Sequence, residues 1–168
     1  MKRIGLISDT HGYLDTAVKE HFSGVDEIWH AGDIGDLAVT DALKAIKPVR
    51  AVFGNIDDSR ARAEWPEDAR FTVEGVSVWI THIGGYPGHY SPRVRRELAL
   101  RAPDIFVCGH SHILRVMRDP AFGQMLVLNP GAAGIHGFHR VKTLLRFSIH
   151  DGKVLDMEAI EMGKRGQL

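Results

Sequence analysis

Seven side chains able to bind a metal ion occur at five points of the chain. They are Asp9 and His11 in ISDTHG, Asp33 in HAGDIGD, Asn55 in FGNID, His82 in WITHIGG, and His110 with His112 in VCGHSH. Asp9, His11, Asp33 and the later histidines each follow an apolar run and lie in or beside a glycine-bearing turn. Such side chains converge if the runs are neighbouring strands whose turns share one end of a sheet. Mixed Asp, Asn and His donors suit divalent transition metals, and the two oxygens of Asp33 let it serve two cations at once. Taken singly, an Asp after a strand is most often a turn former or helix cap, and an Asn after Gly a turn residue. The joint pattern, five pieces each at the end of an expected strand, predicts a dinuclear metal hydrolase. Asp33, Asn55 and His82 are expected to be catalytic by holding metal, water and phosphate.

Local spacing supports convergence. Asp9 and His11 stand two residues apart, so an extended backbone puts both on one face, and a turn at His11-Gly12 lets them meet at one ion. His110 and His112 repeat the spacing, with Gly109 leaving the backbone room to turn. Asn55 offers a neutral oxygen where another carboxylate would overcharge the site.

The elements that must position these groups follow from short runs rich in Val and Ile. Strands are expected over Ile4 to Ile7, Glu27 to His30, Val49 to Phe53, Arg70 to Val73, Val76 to Thr81, Ile105 to Cys108, Leu114 to Met117, Met125 to Leu128, Leu144 to Ile149 and Val154 to Ile160. Leu14, Ala17, Val18, His21 and Phe22 share one helical face that Gly24 ends. Asp36 caps a second helix that Pro48 stops, and Ser91-Pro92 starts a third that runs to about Arg101. Strand and helix alternate in the first half and strands dominate the second. This order predicts an α/β sandwich: two packed sheets with helices on their outer faces.

The chain has 168 residues, with 44% apolar and 25% charged, the balance of one globular domain. Its 21 basic and 21 acidic residues cancel, which argues against nucleic acid as a partner other than as a substrate. No apolar run is long enough for a membrane span or signal peptide, and the single Cys108 excludes an internal disulfide. Cys108 ends an apolar run and is expected to be buried and inert. A cytoplasmic protein is expected, with residues 1–162 as its domain and Gly163 to Leu168 as a frayed tail.

At these motifs the chain resembles the calcineurin-like metallophosphoesterases, and among them the small single-domain bacterial and archaeal phosphodiesterases. The matching residues are Asp9-Thr10-His11, Gly32-Asp33, Gly54-Asn55, Thr81-His82 and Gly109 to His112, with Asn129 to Gly131 as a further likeness. The resemblance implies a four-layered α/β/β/α sandwich. It also implies two divalent ions, one held by Asp9, His11, Asp33 and His112, the other by Asp33, Asn55, His82 and His110. Manganese is expected, with iron, zinc, nickel or cobalt as alternatives. The implied reaction is hydrolysis of a small phosphoester, with a metal-bridging hydroxide attacking phosphorus in line. Small relatives are often homo-oligomeric.

Two departures from the family pattern bear on substrate. Many relatives carry His after the Gly-Asn pair as a proton donor, whereas this chain has Ile56. That favours diesters over monoesters and leaves His89, His136 and His139 as candidate donors. The third motif reads Thr81-His82-Ile83-Gly84, lacking a second His. Specificity is therefore expected in the following loop, where Tyr86, His89 and Tyr90 could line the substrate mouth and Arg93 could attract phosphate. The alternatives are a phosphomonoesterase and a non-catalytic protein-binding scaffold like the retromer subunit of this fold.

Overall fold

The computed structural model describes residues 1–166. Its elements run β1 (Lys2–Ile7), α1 (Ala17–His21), β2 (Glu27–His30), α2 (Leu37–Lys44), β3 (Val49–Ala51), α3 (Ser59–Glu64), β4 (Asp68–Val73), β5 (Val76–Thr81) and α4 (Pro92–Leu100). They continue with β6 (Ile105–Val107), β7 (Leu114–Asp119), a short 3₁₀ turn at Pro120–Phe122, β8 (Met125–Pro130), β9 (Val141–His150) and β10 (Lys153–Lys164). The described residues form two five-stranded sheets, ordered β10-β9-β1-β2-β3 and β4-β5-β6-β8-β7. In the first, β1, β2 and β3 are parallel and β9 returns antiparallel beside β1. In the second, β5, β6 and β8 are parallel, with β4 and β7 antiparallel at the edges.

Burial explains the layers. Ile4, Leu6 and Trp29 of the first sheet share one apolar cluster with Val78, Ile80, Val107 and Leu128 of the second, so the sheets pack face to face. Outside the first sheet, Val18, Phe22, Val39 and Leu43 of the α1 and α2 region cover Ile7 and Ile28. Outside the second, Val94 and Leu98 of α4 cover Trp79 and Phe106. The result is the expected four-layered α/β/β/α sandwich. No helix among the described residues is long and apolar enough to cross a membrane.

Several boundaries differ from expectation for local reasons. The first helix is short, and Asp15 before it accepts from Ala17 N at 2.9 Å, so Leu14 packs on the core from a loop. Strand β3 ends at Ala51 because Phe53 N turns to donate to Pro66 O. Helix α3 was not legible; it is six residues long, too short for an apolar period, and Asp58 caps it by accepting from Ala61 N. Strands β4 and β5 join in a hairpin at Glu74-Gly75, both residues taking positive φ. Strand β10 runs to Lys164, two residues into the stretch expected to fray, because Lys164 pairs with Val141. Gln167 and Leu168 of that stretch lie outside the described residues.

Candidate metal centre

All seven candidate ligands leave the carboxyl ends of parallel strands: Asp9 and His11 follow β1, Asp33 follows β2, Asn55 follows β3, His82 follows β5, and His110 and His112 follow β6. The loops are tied to one another by backbone bonds. Asp9 N donates to Gly32 O, His11 N to Asp33 O, and Gly109 N to His82 O, each at 3.0 Å. Five of the seven, Asp9, His11, Asp33, His110 and His112, have φ between 46° and 70°. Non-glycine residues rarely adopt that region, and each instance costs on the order of 1–3 kcal/mol. Such strain gathered at one end of the sheets marks a built site. Glycine is required at two close approaches: a Cβ on Gly54 would lie 2.2 Å from Asp33 Oδ1, and one on Gly109 would lie 2.6 Å from Asp9 Oδ2.

Two groups of donor atoms result, Asp9 with His11 and His112, and Asp33 with His82 and His110. His112 Nε2 lies 3.2 Å from Asp9 Oδ1, and His11 Nε2 lies 3.9 Å from the same oxygen. Asp33 Oδ2 stands between the groups, 3.2 Å from His82 Nε2 and 3.4 Å from His11 Nε2. Asn55 Oδ1 is 3.0 Å from His110 Nδ1, which joins the β3 and β6 loops. Asp9 Oδ1, His11 Nε2 and His82 Nε2 are buried with no hydrogen-bond partner. Buried polar atoms are nearly always partnered. Three orphans aimed at one another, of carboxylate and imidazole type, fit a divalent cation.

Neighbouring groups fix which atom of each ligand faces inward. Asp9 Oδ2 accepts from Ser8 Oγ at 2.7 Å and from His110 N at 3.1 Å, leaving Oδ1 for the centre. Asp33 Oδ1 accepts from Ile56 N at 3.1 Å, leaving Oδ2. His82 Nδ1 lies 2.7 Å from Ala31 O, an acceptor, so Nδ1 carries the hydrogen and Nε2 keeps its lone pair. Burial alone would raise the Asp33 carboxyl, but the His11 and His82 rings and the Ile56 N–H hold it well below the usual carboxylate range. Burial likewise opposes charge on His82, yet Asp33, Asp9 and the Ala31 carbonyl raise its pKa.

Several supporting residues were not read from the sequence. Asp57 is buried and accepts three backbone N–H groups: Gly54 at 2.7 Å and Ile34 at 3.1 Å on Oδ2, and Gly35 at 2.8 Å on Oδ1. It thereby locks the Asp33 loop to the Asn55 loop. His30, fully buried at the end of β2, accepts from Gly32 N through Nδ1, so its Nε2–H donates to Thr10 Oγ1. Burial lowers its pKa to about 4, and it serves as a neutral strut under the site. Asn129, noted in the sequence only as part of a likeness, donates to Gly109 O at 3.0 Å and so steadies the β6 loop.

The expected substrate residues are dispersed. Tyr86 and His89 pair with each other, ring centroids 4.7 Å apart, and Arg115 lies over Tyr86. Neither ring is among the residues lining the two grooves beside the ligands. Tyr90 is turned away, donating to Asp119 Oδ2 at 2.6 Å. Arg93 does line the groove beside His82, and its guanidinium is held there by Asp68 at 3.0 Å and Thr81 Oγ1 at 2.7 Å. Of the candidate donors, His136 stacks on His11 with centroids 4.9 Å apart, and His139 meets His112 edge-on at 5.1 Å. Cys108 is fully buried and burial pushes its thiol up to about 12, so it stays protonated.

A family model for the calcineurin-like phosphoesterase superfamily domain matches residues 1–152. The chain belongs to this superfamily. A probable metallophosphoesterase of Methanothermobacter thermautotrophicus is 31% identical to this calcineurin-like phosphoesterase over 168 residues, covering 95% of this chain and 92% of the relative. Another from Methanocaldococcus jannaschii is 31% identical over 156 residues, covering 88% and 76%. Among solved structures, an archaeal phosphodiesterase superposes with a TM-score of 0.73 at 20% identity, covering 95% of this chain and 99% of its own. Wild-type Vps29 of Entamoeba histolytica, complexed with zinc, gives 0.74 at 15% identity, covering 95% and 98%. These two superpositions show a shared fold.

Proposed function

We propose that this calcineurin-like phosphoesterase is a dinuclear phosphodiesterase. The observation that carries the proposal is the set of three buried, unpartnered donor atoms, Asp9 Oδ1, His11 Nε2 and His82 Nε2, facing each other around Asp33 Oδ2. Asp9, His11 and His112 would hold one cation, and Asn55, His82 and His110 the other, with Asp33 serving both. Manganese, iron, zinc, nickel and cobalt all suit this nitrogen and oxygen set. Such ions supply Lewis acidity toward phosphoryl oxygens and make a coordinated water acidic enough to react near neutral pH.

The chain's own residues then do three things. Ser8, Ile56 N–H and Ala31 O fix the inward-facing atoms of Asp9, Asp33 and His82, so the donors need no reorganisation during reaction. Asn55 and His110, at the exposed lip, border the entrance for phosphate. His136 takes over proton donation to the leaving oxygen: it is exposed and lines the groove, whereas Nε2 of His139 is engaged with Gly134 O at 2.7 Å. Ile56 occupies the place where relatives keep a donor, and its side chain is 46% exposed at the groove rim. A diester, carrying one negative charge, fits this rim better than a dianionic monoester. The balanced charge and single buried thiol suit a reducing, cytoplasmic setting.

The deciding experiment loads purified protein with each metal and compares bis(p-nitrophenyl) phosphate with p-nitrophenyl phosphate. The expected result is at least tenfold higher kcat/KM on the diester and loss of about 10²-fold or more in Asp33→Asn. Unaltered diester hydrolysis by Asp33→Asn would end the proposal.

A further inference from the structure

The larger groove beside the ligands has a volume of about 510 Å³. One wall is the ligand cluster, with His11, Asp33, Asn55, His110 and His112. The other wall combines Ser111, His136 and His139 with three large apolar side chains. Ile56, Ile113 and Phe138 project into it, exposed by 46%, 51% and 103%. Among the described residues lining it there is no Lys or Arg. Three large apolar side chains left in water around one opening depart from the usual scatter of surface hydrophobics and mark a binding face.

Phe138 is the informative one. It belongs to none of the apolar clusters that hold the fold together, and it makes no ring contact among those formed by the described residues. Its loop is nevertheless fastened on both sides. His139 Nε2 lies 2.7 Å from Gly134 O, and Arg165 donates to Ile135 O at 3.3 Å and to His139 O at 2.9 Å. Gly137, at φ 131°, turns the chain so that Phe138 and His136 can both border the groove. An aromatic face held in water by a fastened loop is prepared for a flat partner.

We propose that this groove binds an uncharged planar aromatic arm of the substrate, stacked on Phe138 between Ile56 and Ile113, while the phosphoryl group lies at the ligand cluster. This rests on the phosphodiesterase reading above and adds the substrate class to it: diesters with at least one aromatic arm, an aryl group or a nucleobase. With no Lys or Arg lining it, the groove favours an uncharged arm over a second phosphate, and a methyl or short alkyl arm leaves its apolar side chains wet. Stacking of this kind is worth roughly tenfold or more in affinity when the aromatic side chain is removed.

The test uses phosphinates, which carry the single charge of a diester but have no ester bond to cleave. Calorimetry on the metal-loaded protein should show diphenylphosphinate binding about tenfold tighter than dimethylphosphinate. Phe138→Ala should reduce that ratio to twofold or less while leaving the dimethyl compound unchanged, and Phe138→Tyr should retain it. Because Phe138 is fully exposed, the alanine variant should keep the melting temperature of the parent, which serves as the folding control. On bis(p-nitrophenyl) phosphate, Phe138→Ala should raise KM with kcat within twofold of the parent. Thymidine 5′-methyl phosphate, whose one aromatic group is the base, separates the two aromatic sources: a KM that also rises in Phe138→Ala assigns the groove to nucleobases, an unchanged one to simple aryl groups. Equal binding of the two phosphinates by the parent, or a ratio untouched by Phe138→Ala, overturns the proposal. Either result with hydrolysis intact leaves the phosphodiesterase reading standing, whereas absence of hydrolysis by every metal-loaded form would remove that reading instead.

Discussion

Arg165 Nε donates to the carbonyl oxygen of His139 at 2.9 Å, so the last turn of the described chain carries the loop that borders the metal-ligand cluster. The same guanidinium reaches Ile135 O at 3.3 Å, spanning the residues that hold His136 and Phe138 between them. Removing it frees the loop without touching a ligand. Arg165→Ala should therefore raise KM for bis(p-nitrophenyl) phosphate several-fold, keep the bound-metal content of the parent, and lower the melting temperature by only a few degrees. Steady-state kinetics beside elemental analysis checks this. A loss of metal would mean that the contact supports the ligands themselves.

Asp57 acts at greater depth. Its carboxylate satisfies the N–H groups of Ile34 and Gly54, both buried, and of Gly35 at the surface. In Asp57→Ala the two buried donors, Ile34 N and Gly54 N, are stranded at about 1 kcal/mol or more each, so the metal-free protein should lose about 2 kcal/mol of stability to urea unfolding. The Asp33 and Asn55 loops also lose their common tie. Metal affinity, read by competition with a chromophoric chelator, should fall about 10–100-fold. Unchanged affinity in a folded variant would show that the loops hold their places without Asp57.

The contrast between Asp33 and Asp57 shows what the sequence discloses and what it hides. A ligand is legible because chemistry demands its residue type at a strand end beside glycine, and all seven candidates do stand at the ends of parallel strands. Asp57, His30 and Arg165 are defined by backbone N–H and C=O groups that only the folded chain brings to them, some from more than twenty residues away. Arg93 shows the same limit: its nearness to the His82 loop was visible, but its partners Asp68 and Thr81 come from a hairpin whose register the sequence leaves open. Likewise the layers follow from the order of strands and helices, while the seat of Phe138 depends on a loop tied down by Arg165, just past the final strand.

The separation of the donors into two groups has a stoichiometric consequence. His112 Nε2 approaches Asp9 Oδ1 at 3.2 Å, and His82 Nε2 approaches Asp33 Oδ2 at the same distance. His112→Ala and His82→Ala should each fall from two metal equivalents to about one, and each should lose most of the increase in melting temperature that metal gives the parent. Asp33→Asn, which touches both groups, should lose more than either. Elemental analysis after dialysis, paired with thermal unfolding, distinguishes this from a single ion bound by all seven residues, for which every variant would drop together.

Lys142 and Asp15 form a pH-sensitive pair between β9 and the loop before α1. The lysine side chain is 2% exposed, sits over the Tyr13 ring, and meets Asp15 Oδ2 at 2.5 Å. Burial would raise the Asp15 carboxyl, but hydrogen bonds from Lys142 and Ala17 N lower it below its ordinary value. Burial would lower Lys142, but Asp15 raises it. The Asp15 contribution is therefore complete above its unfolded pKa of about 3.9 and lost as pH falls through the depressed folded value. The Lys142 contribution is complete below about 10.4 and lost as pH rises through the raised folded value. Lys142→Met leaves Asp15 partly buried without its cation, and Asp15→Asn removes the carboxylate that Lys142 meets. Each should cost about 3–5 kcal/mol near neutral pH. The deficit should hold across the middle range and shrink for both variants in acid, where the parent's Asp15 is protonated, and in strong alkali, where its Lys142 is neutral. Urea unfolding at several pH values reads it directly, and a deficit that grew toward acid in Asp15→Asn would have the wrong sign for this pair.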